Sequence, residues 1–197
     1  MRSRLVDVLD DTWCRVGTLD LVVGVDLAVR TLSAAALENF LLGRIDRQFV
    51  RTRSEVADRM ARLPRHLAID GRYPMNELHC LPDVWPHVVS TLAEAADVVL
   101  MDLRGFQSTN QGVMYELTLI MQRVQMGRIV LLSDAETDER ALSGALERSW
   151  SQLPVDSPNV APCEARLEIL RCSGVRSTDT HAILTRLFAA GFAKAAA

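Results

Sequence analysis

The chain has 197 residues, a formal net charge of -3 and a pI near 5.8. Hydrophobic residues make up 49% of it and charged residues 24%, which is typical of a globular domain and excludes a mostly disordered chain. The acidic balance and the aromatic content of 5% argue against nucleic acid as a partner and against attraction to an anionic membrane.

The cellular compartment and the cofactor class follow from what the sequence lacks. No apolar run approaches the roughly 20 residues of a membrane-spanning helix, and no cleavable signal pattern opens the sequence. The four widely spaced cysteines form no zinc or redox motif. We therefore expect reduced thiols and a cytoplasmic chain without direct membrane insertion. The four histidines show no ligand spacing, so we expect no metal and no bound cofactor.

The first half of the chain predicts one strand among several helices. Apolar residues three or four positions apart predict a surface helix over residues 5–13. A strand over residues 19–25 ends at Asp26, which is therefore a candidate ligand-binding residue at a strand end. The segments that follow are a helix at 34–44 with Ser33 as N-cap, a helix at 55–63 with Ser54 as N-cap, a loop at 64–72, a mixed segment at 73–80 and a helix after Asp83.

Residues 96–122 show the clearest pattern in the chain: a strand, a polar loop and a helix. The apolar run at 98–101 predicts a buried strand with Asp102 at its carboxyl end. After a loop at 104–112, a helix places Glu116 beside its apolar face in the first two turns. Ligands of open parallel sheets bind outside the carboxyl ends of the strands, so Asp102 and Glu116 would meet at one rim.

The remaining elements repeat this alternation of strand and helix. They are a strand at 128–132 that ends in Ser133 and Asp134, a helix from 137 to 150 with Trp150 on its inner face, and an irregular segment at 154–162. An edge strand at 166–172 follows, and then a final amphipathic helix that begins at Ser177 or Thr178 and whose apolar face includes Phe188. The alternation predicts an α/β fold with a mainly parallel sheet of about five strands. We expect a single domain over 1–197, with an N-terminal helix at 1–16, a core at 17–153 and a C-terminal strand and helix at 154–197.

A family resemblance rests on the central stretch. It resembles the strand-loop-helix core of TIR-like and nucleoside deoxyribosyltransferase-like domains through Ala96-Asp97-Val98-Val99, Asp102, Asn110, Gly112 and Tyr115-Glu116-Leu117. Residues 15–49 and 76–106 also look like a bacterial group that carries the phrase Val-Leu-Met-Asp-Leu-Arg-Gly-Phe. The resemblance implies a flavodoxin-like three-layer sandwich.

The resemblance also implies a chemistry. In active members the matching glutamate works at the N-glycosidic bond of NAD or of a nucleoside, which would make Glu116 catalytic with Asp102 in support. An ionised carboxylate can stabilise or attack the oxocarbenium-like centre formed when that bond breaks. NAD or another nucleotide would be substrate or ligand, and the candidate ligand-binding residues are Asp26, Asn76, Arg104, Asn110 and Tyr115. Because Asn76 and Glu77 precede the central strand by one helix, a parallel sheet would put them at a neighbouring strand or on a loop near the same rim, where either could face the site.

Each of these residues also has a structural interpretation. Glu116 could be an ordinary glutamate favoured by the positive end of its helix, and Tyr115 could be packing. Arg104 could bind a phosphate, or it could pair with Asp102 and neutralise the site.

Two functions from different classes therefore stay open. The first is an enzyme that cleaves or transfers at a glycosidic bond. The second is a catalytically inactive TIR-like interaction or nucleotide-sensing module, which could be the cytosolic part of a membrane-attached protein and could form homo-oligomers through exposed helices. An open pocket lined by Asp102 and Glu116 would favour the enzyme. A pocket filled by Arg104 or Phe106 would favour the module.

Overall fold

The computed structural model describes residues 2–23, 49–160, 166–173 and 177–193. Asp26, Ser33, the helix predicted at 34–44 and Cys163 lie outside the described residues. The chain divides into two compact units, Met1–Leu92 and Ala93–Ala197, and the strands of each unit form a parallel sheet.

The first unit is built on a three-stranded sheet with β3 at its centre. Its elements are α1 (Arg2–Trp13), β1 (Leu19–Val23), β2 (Phe49–Val50), α2 (Arg53–Ala61), β3 (Met75–Cys80) and α3 (Trp85–Ala95), the last of which crosses the boundary between the units. The strand order is β1-β3-β2, with Leu19 opposite Met75 and Phe49 opposite His79. Alternate residues of β3 are buried, as expected of a strand with one face on the core.

The second unit holds the central stretch of the sequence. Its elements are β4 (Val99–Asp102), α4 (Gln111–Arg123), a 3-10 turn (Met126–Arg128), β5 (Ile129–Ser133), α5 (Glu139–Ser151), β6 (Glu168–Arg171) and α6 (Ser177–Ala193). The parallel order is β4-β5-β6, with Asp102 opposite Leu132 and Ser133 opposite Arg171. Every residue of β5 is buried, which explains its unbroken apolar sequence.

The predicted α/β class with parallel strands is confirmed, and the architecture is consistent with a flavodoxin-like fold. The described strands form two sheets of three instead of one sheet of about five. The predicted sequence of strand, loop and helix around Asp102 is also confirmed, with α4 beginning at Gln111. None of the described helices has the length and apolar character required to cross a bilayer.

Some local predictions were wrong. Trp150 is 48% exposed, because the buried face of α5 runs through Leu142, Ala145 and Ser149, and Trp150 lies about 100° around the helix from Ser149. Phe188 is 37% exposed, whereas Ile183 and Leu187 on the same helix are buried.

The N-cap of α2 also differs from the prediction. The cap position is Thr52, so the predicted cap Ser54 lies inside the helix. The Thr52 side chain makes no capping hydrogen bond. Instead, the Glu55 carboxylate accepts a hydrogen bond of 3.0 Å from the Arg51 N–H and so covers one open donor just before the helix.

Candidate functional site

Polar side chains gather where β4, β5 and β6 end in the second unit. Asp102 closes β4 and Asp134 follows β5, while Cys172 follows β6. Backbone bonds extend the ladder past the strands, from Leu103 N to the Leu132 oxygen at 2.9 Å and from Cys172 N to the Ser133 oxygen at 2.7 Å. We call Asp102, Arg104, Asp134, Thr137 and Cys172 the strand-end rim.

Asp102 and Arg104 form a two-pronged ion pair within this rim. Arg104 Nε donates to Asp102 Oδ1 and Nη2 donates to Oδ2, each at 2.7 Å. The Asp102 side chain is only 17% exposed and the Arg104 side chain only 5%. The hydrogen bond to Asp102 raises the pKa of Arg104 against the opposing effect of burial. The pair is therefore neutral as a whole, and both oxygens of Asp102 are engaged.

A left-handed glycine follows the pair in the chain. Gly105 has a φ of 68°, which an L residue with a side chain rarely adopts, and it turns the backbone immediately after Arg104. The Gly105 N–H then donates to Asp134 Oδ1 at 2.9 Å. The turn thus connects the end of β4 to the end of β5.

Asp134 organises the loop around this turn, a role that the sequence analysis missed. Besides Gly105, its Oδ1 lies 3.0 Å from the Glu136 N–H and 3.0 Å from the Thr137 hydroxyl. Burial alone would raise the pKa of Asp134, but these hydrogen bonds and the Arg104 charge outweigh it and lower the pKa. The available signal was the polar end of β5, which resembles the end of β4.

Several side chains at or beside the rim are buried. Phe106 is 2% exposed, and its carbonyl accepts from the Asp138 N–H at 2.9 Å. Cys172 is buried beside Arg104, and burial raises the pKa of its thiol. Arg104 Nη1 is buried as well and has no hydrogen-bond partner among the described residues. Arg104 and Phe106 are thus both shielded from solvent.

The predicted helix residues lie elsewhere in the second unit. Glu116 is half-buried in the second turn of α4. Asn110 precedes the helix, and its Oδ1 accepts from the Gln107 N–H at 2.7 Å, so its side chain closes a turn of the loop. Tyr115 is 51% exposed on α4.

Tyr115 lines a groove between α4 and α5, which we call the helix groove. Its volume is about 410 Å³, and its ten lining residues include Tyr115, Thr118 and Gln122 from α4 and Arg148, Ser149 and Gln152 from the end of α5. Neither Asp102 nor Glu116 is one of these residues. The structure thus associates Tyr115 with a groove that lacks both predicted catalytic carboxylates.

Asn76 lies in the first unit, at the end of its sheet opposite to the one expected. It is the second residue of β3, and in a parallel sheet this position is at the amino end. Its side chain is buried and donates to Asp20 Oδ1 at 2.7 Å and to the Pro64 oxygen at 3.3 Å. Asn76 thus lies on a strand, one of the two placements that the sequence allowed, but away from the carboxyl end of that strand. Its amide joins β1, β3 and the preceding loop.

Comparison with protein-family models, with curated proteins and with solved structures finds no match for this chain. The TIR-like resemblance therefore stays a prediction that rests on residues 96–117. Within the part of the chain that the structure describes, no group of three or more His, Cys, Asp or Glu side chains is placed to hold a metal ion.

Proposed function

We propose that this chain is a catalytically inactive TIR-like module that works by binding, as an interaction or nucleotide-sensing domain. One observation carries the proposal: Arg104 and Asp102 are locked in a buried two-pronged ion pair. The carboxylate that would support glycosidic chemistry is thereby neutralised by a neighbour two residues away.

The interaction free energies favour the Asp102–Arg104 ion pair over a sugar bound to Asp102. Separating a buried ion pair leaves an uncompensated charge, at a cost of about 3–5 kcal/mol. A ribose hydroxyl that replaced the guanidinium would return about 1.5–3 kcal/mol for a hydrogen bond to the charged carboxylate. A single ribose hydroxyl therefore does not displace Arg104 from Asp102 without additional binding energy.

Glu116 does not compensate for the closed rim. Cleavage of an N-glycosidic bond requires an ionised carboxylate held against the sugar in a site that receives it. Glu116 does not line the helix groove, and it lies half-buried in the second turn of α4. This supports a structural role for Glu116.

The test is the release of nicotinamide from NAD, and of free base from nucleosides, by the full chain at high protein concentration over long incubation. We expect the wild type, Glu116→Ala and Glu147→Ala to match a protein-free blank. Glu147 is an exposed glutamate on α5 and serves as the matched control. Release by the wild type and by Glu147→Ala that is lost in Glu116→Ala would refute the proposal and establish glycosidic chemistry.

A further inference from the structure

We propose that the helix groove binds an aromatic anion of the nucleoside monophosphate class. This inference rests on the proposed binding role of the module and specifies its ligand. The volume of about 410 Å³ falls within the range of about 300–1,000 Å³ typical of small-molecule sites. The groove lies entirely within the second unit, between α4 and α5.

The floor of the groove is fixed by contacts between the two helices. The Thr118 and Ser149 hydroxyls share a hydrogen bond of 2.8 Å, and Ser149 is 2% exposed. Towards the ends of the helices, Gln122 Nε2 donates to the Gln152 carbonyl at 3.2 Å. These bonds hold α4 and α5 in register, so the groove is formed before a ligand arrives, which lowers the entropic cost of binding.

The charge of the lining selects an anion. Of the ten described residues that line the groove, Arg148 is the one charged residue, and none is acidic. The Arg148 guanidinium lies over Gly144, one turn earlier on α5, where an added Cβ would be 3.2 Å from its Nη1. A guanidinium recognises phosphate through paired charge-assisted hydrogen bonds, so Arg148 would hold the phosphate of the ligand.

The rest of the lining fits an aromatic base. Tyr115 presents a half-exposed ring on the α4 side, suitable for stacking on a planar heterocycle. Three primary amides, from Gln111, Gln122 and Gln152, also line the groove. Amide side chains pair with the donor and acceptor edges of bases. A nucleoside monophosphate has all three complementary parts. Its base can stack on Tyr115, the edge of the base can bond to the amides, and its phosphate can bind Arg148.

The test is a titration of the ¹⁵N-labelled full chain with AMP, followed by backbone amide shifts at physiological salt. We expect saturable shifts confined to α4 and α5. Adenosine, which lacks the phosphate, and ribose 5-phosphate, which lacks the base, should each bind at least about tenfold more weakly. Equal binding of ribose 5-phosphate would overturn the assignment, because it would reduce the site to a surface arginine.

Two charge-matched variants locate the phosphate. Arg148→Gln should weaken AMP about tenfold and leave adenosine unchanged, whereas Arg140→Gln, on an exposed position of the same helix outside the groove lining, should leave both unchanged. Equal weakening by both variants, or no saturable shift at millimolar AMP, would refute the inference. The nicotinamide assay tests the proposed function independently of the groove. A chain that releases no nicotinamide and also binds no AMP would refute this inference and leave the proposed function standing.

Discussion

Arg104 determines whether the Asp102 carboxylate at the end of β4 is paired or available to a ligand. Arg104→Gln would leave Asp102 as a mostly buried, unpaired charge, so we expect the free energy of unfolding to fall by about 3 kcal/mol. Urea unfolding measures this, provided that the m-value is unchanged.

Arg171→Gln is the control for that measurement. Its ion pair with Glu139 has a similarly short distance, 2.6 Å, but the Arg171 and Glu139 side chains are 64% and 67% exposed. Solvent screening leaves such a pair worth about 0.5 kcal/mol or less. If the two variants lost equal stability, burial would not explain the strength of the Asp102–Arg104 pair.

Asp134 predicts a pH dependence in acid. Its pKa is lowered in the folded chain, so its contribution to stability is complete above the unfolded pKa of about 4 and is lost as the pH falls through the folded pKa. The wild type should therefore lose stability below about pH 4 more steeply than Asp134→Asn. Thermal melting between pH 2 and pH 7 measures both curves, and parallel curves would contradict the hydrogen-bonded carboxylate described above.

At the residue scale, the sequence predicted where residues lie in strands and loops better than it predicted their hydrogen-bond and ion-pair partners. The strand end at Asp102 followed from a local apolar run, but the sequence left Arg104 a choice between a phosphate and Asp102, and the structure shows the pair with Asp102. One hydrogen bond to Asp134 comes from Gly105, 29 residues away in sequence, and no local pattern encodes it. The other two come from Glu136 and Thr137, within three residues of Asp134.

The C-terminal end of α4 is held by one buried amide. Asn159 Oδ1 accepts from the Met126 N–H at 2.9 Å, and its Nδ2 donates to the carbonyls of Met121 and Val124 at 2.7 and 2.8 Å. Asn159→Ala would leave these buried backbone groups without partners, and we expect a loss of about 2–4 kcal/mol in chemical unfolding.

Asn110→Ala is the matched control at the other end of α4. Its exposed amide accepts a single bond, from the Gln107 N–H, and water can replace it. A loss below about 1 kcal/mol is expected. A comparable loss in both variants would show that the three bonds of Asn159 do not anchor the helix.

Element boundaries were predictable where the apolar pattern was strong. The strand expected at 98–101 is β4, Val99–Asp102, and the strand expected at 128–132 is β5, Ile129–Ser133. The edge strand was overestimated, since β6 spans only Glu168–Arg171. Burial within α5 was misjudged at Trp150, because a large apolar side chain suggested the core while the packed face used the smaller Ala145 and Ser149.

At the scale of the molecule, three buried thiols report on both units. Cys14 and Cys80 belong to the first unit and Cys172 to the second, and all three are free and buried. Burial raises the pKa of Cys80 to about 11, and it also raises the pKa of Cys14 and Cys172. A raised thiol pKa contributes stability that is complete below the unfolded pKa of about 8.5 and is lost as the pH rises through the folded pKa.

A Cys163→Ser chain should therefore react slowly with a maleimide at pH 7 while folded and take up three labels in denaturant. Mass spectrometry counts the labels, and the denatured chain is the control for reagent activity. Rapid labelling of one thiol in the native chain would show that its unit opens readily.

The division into sheets is the part of the fold that the sequence did not reveal. Alternating apolar segments established the strands and their parallel direction. Which strands become neighbours depends on pairings between distant segments, such as Val99 with Ile129 or Leu19 with Met75. These pairings have no local signature, so one sheet of about five strands could not be distinguished from two sheets of three.

The most direct test of the closed rim is the side-chain Nε–H signal of Arg104 in the ¹⁵N-labelled chain, with and without NAD. We expect a resolved signal in slow exchange with water, because the guanidinium is buried against Asp102. The signal should be absent in Arg104→Lys and should not shift when NAD is added. A rapidly exchanging signal would show that the guanidinium is not held against Asp102, and a signal that shifts saturably with NAD would show that the rim opens to the dinucleotide. Either result would contradict the closed rim.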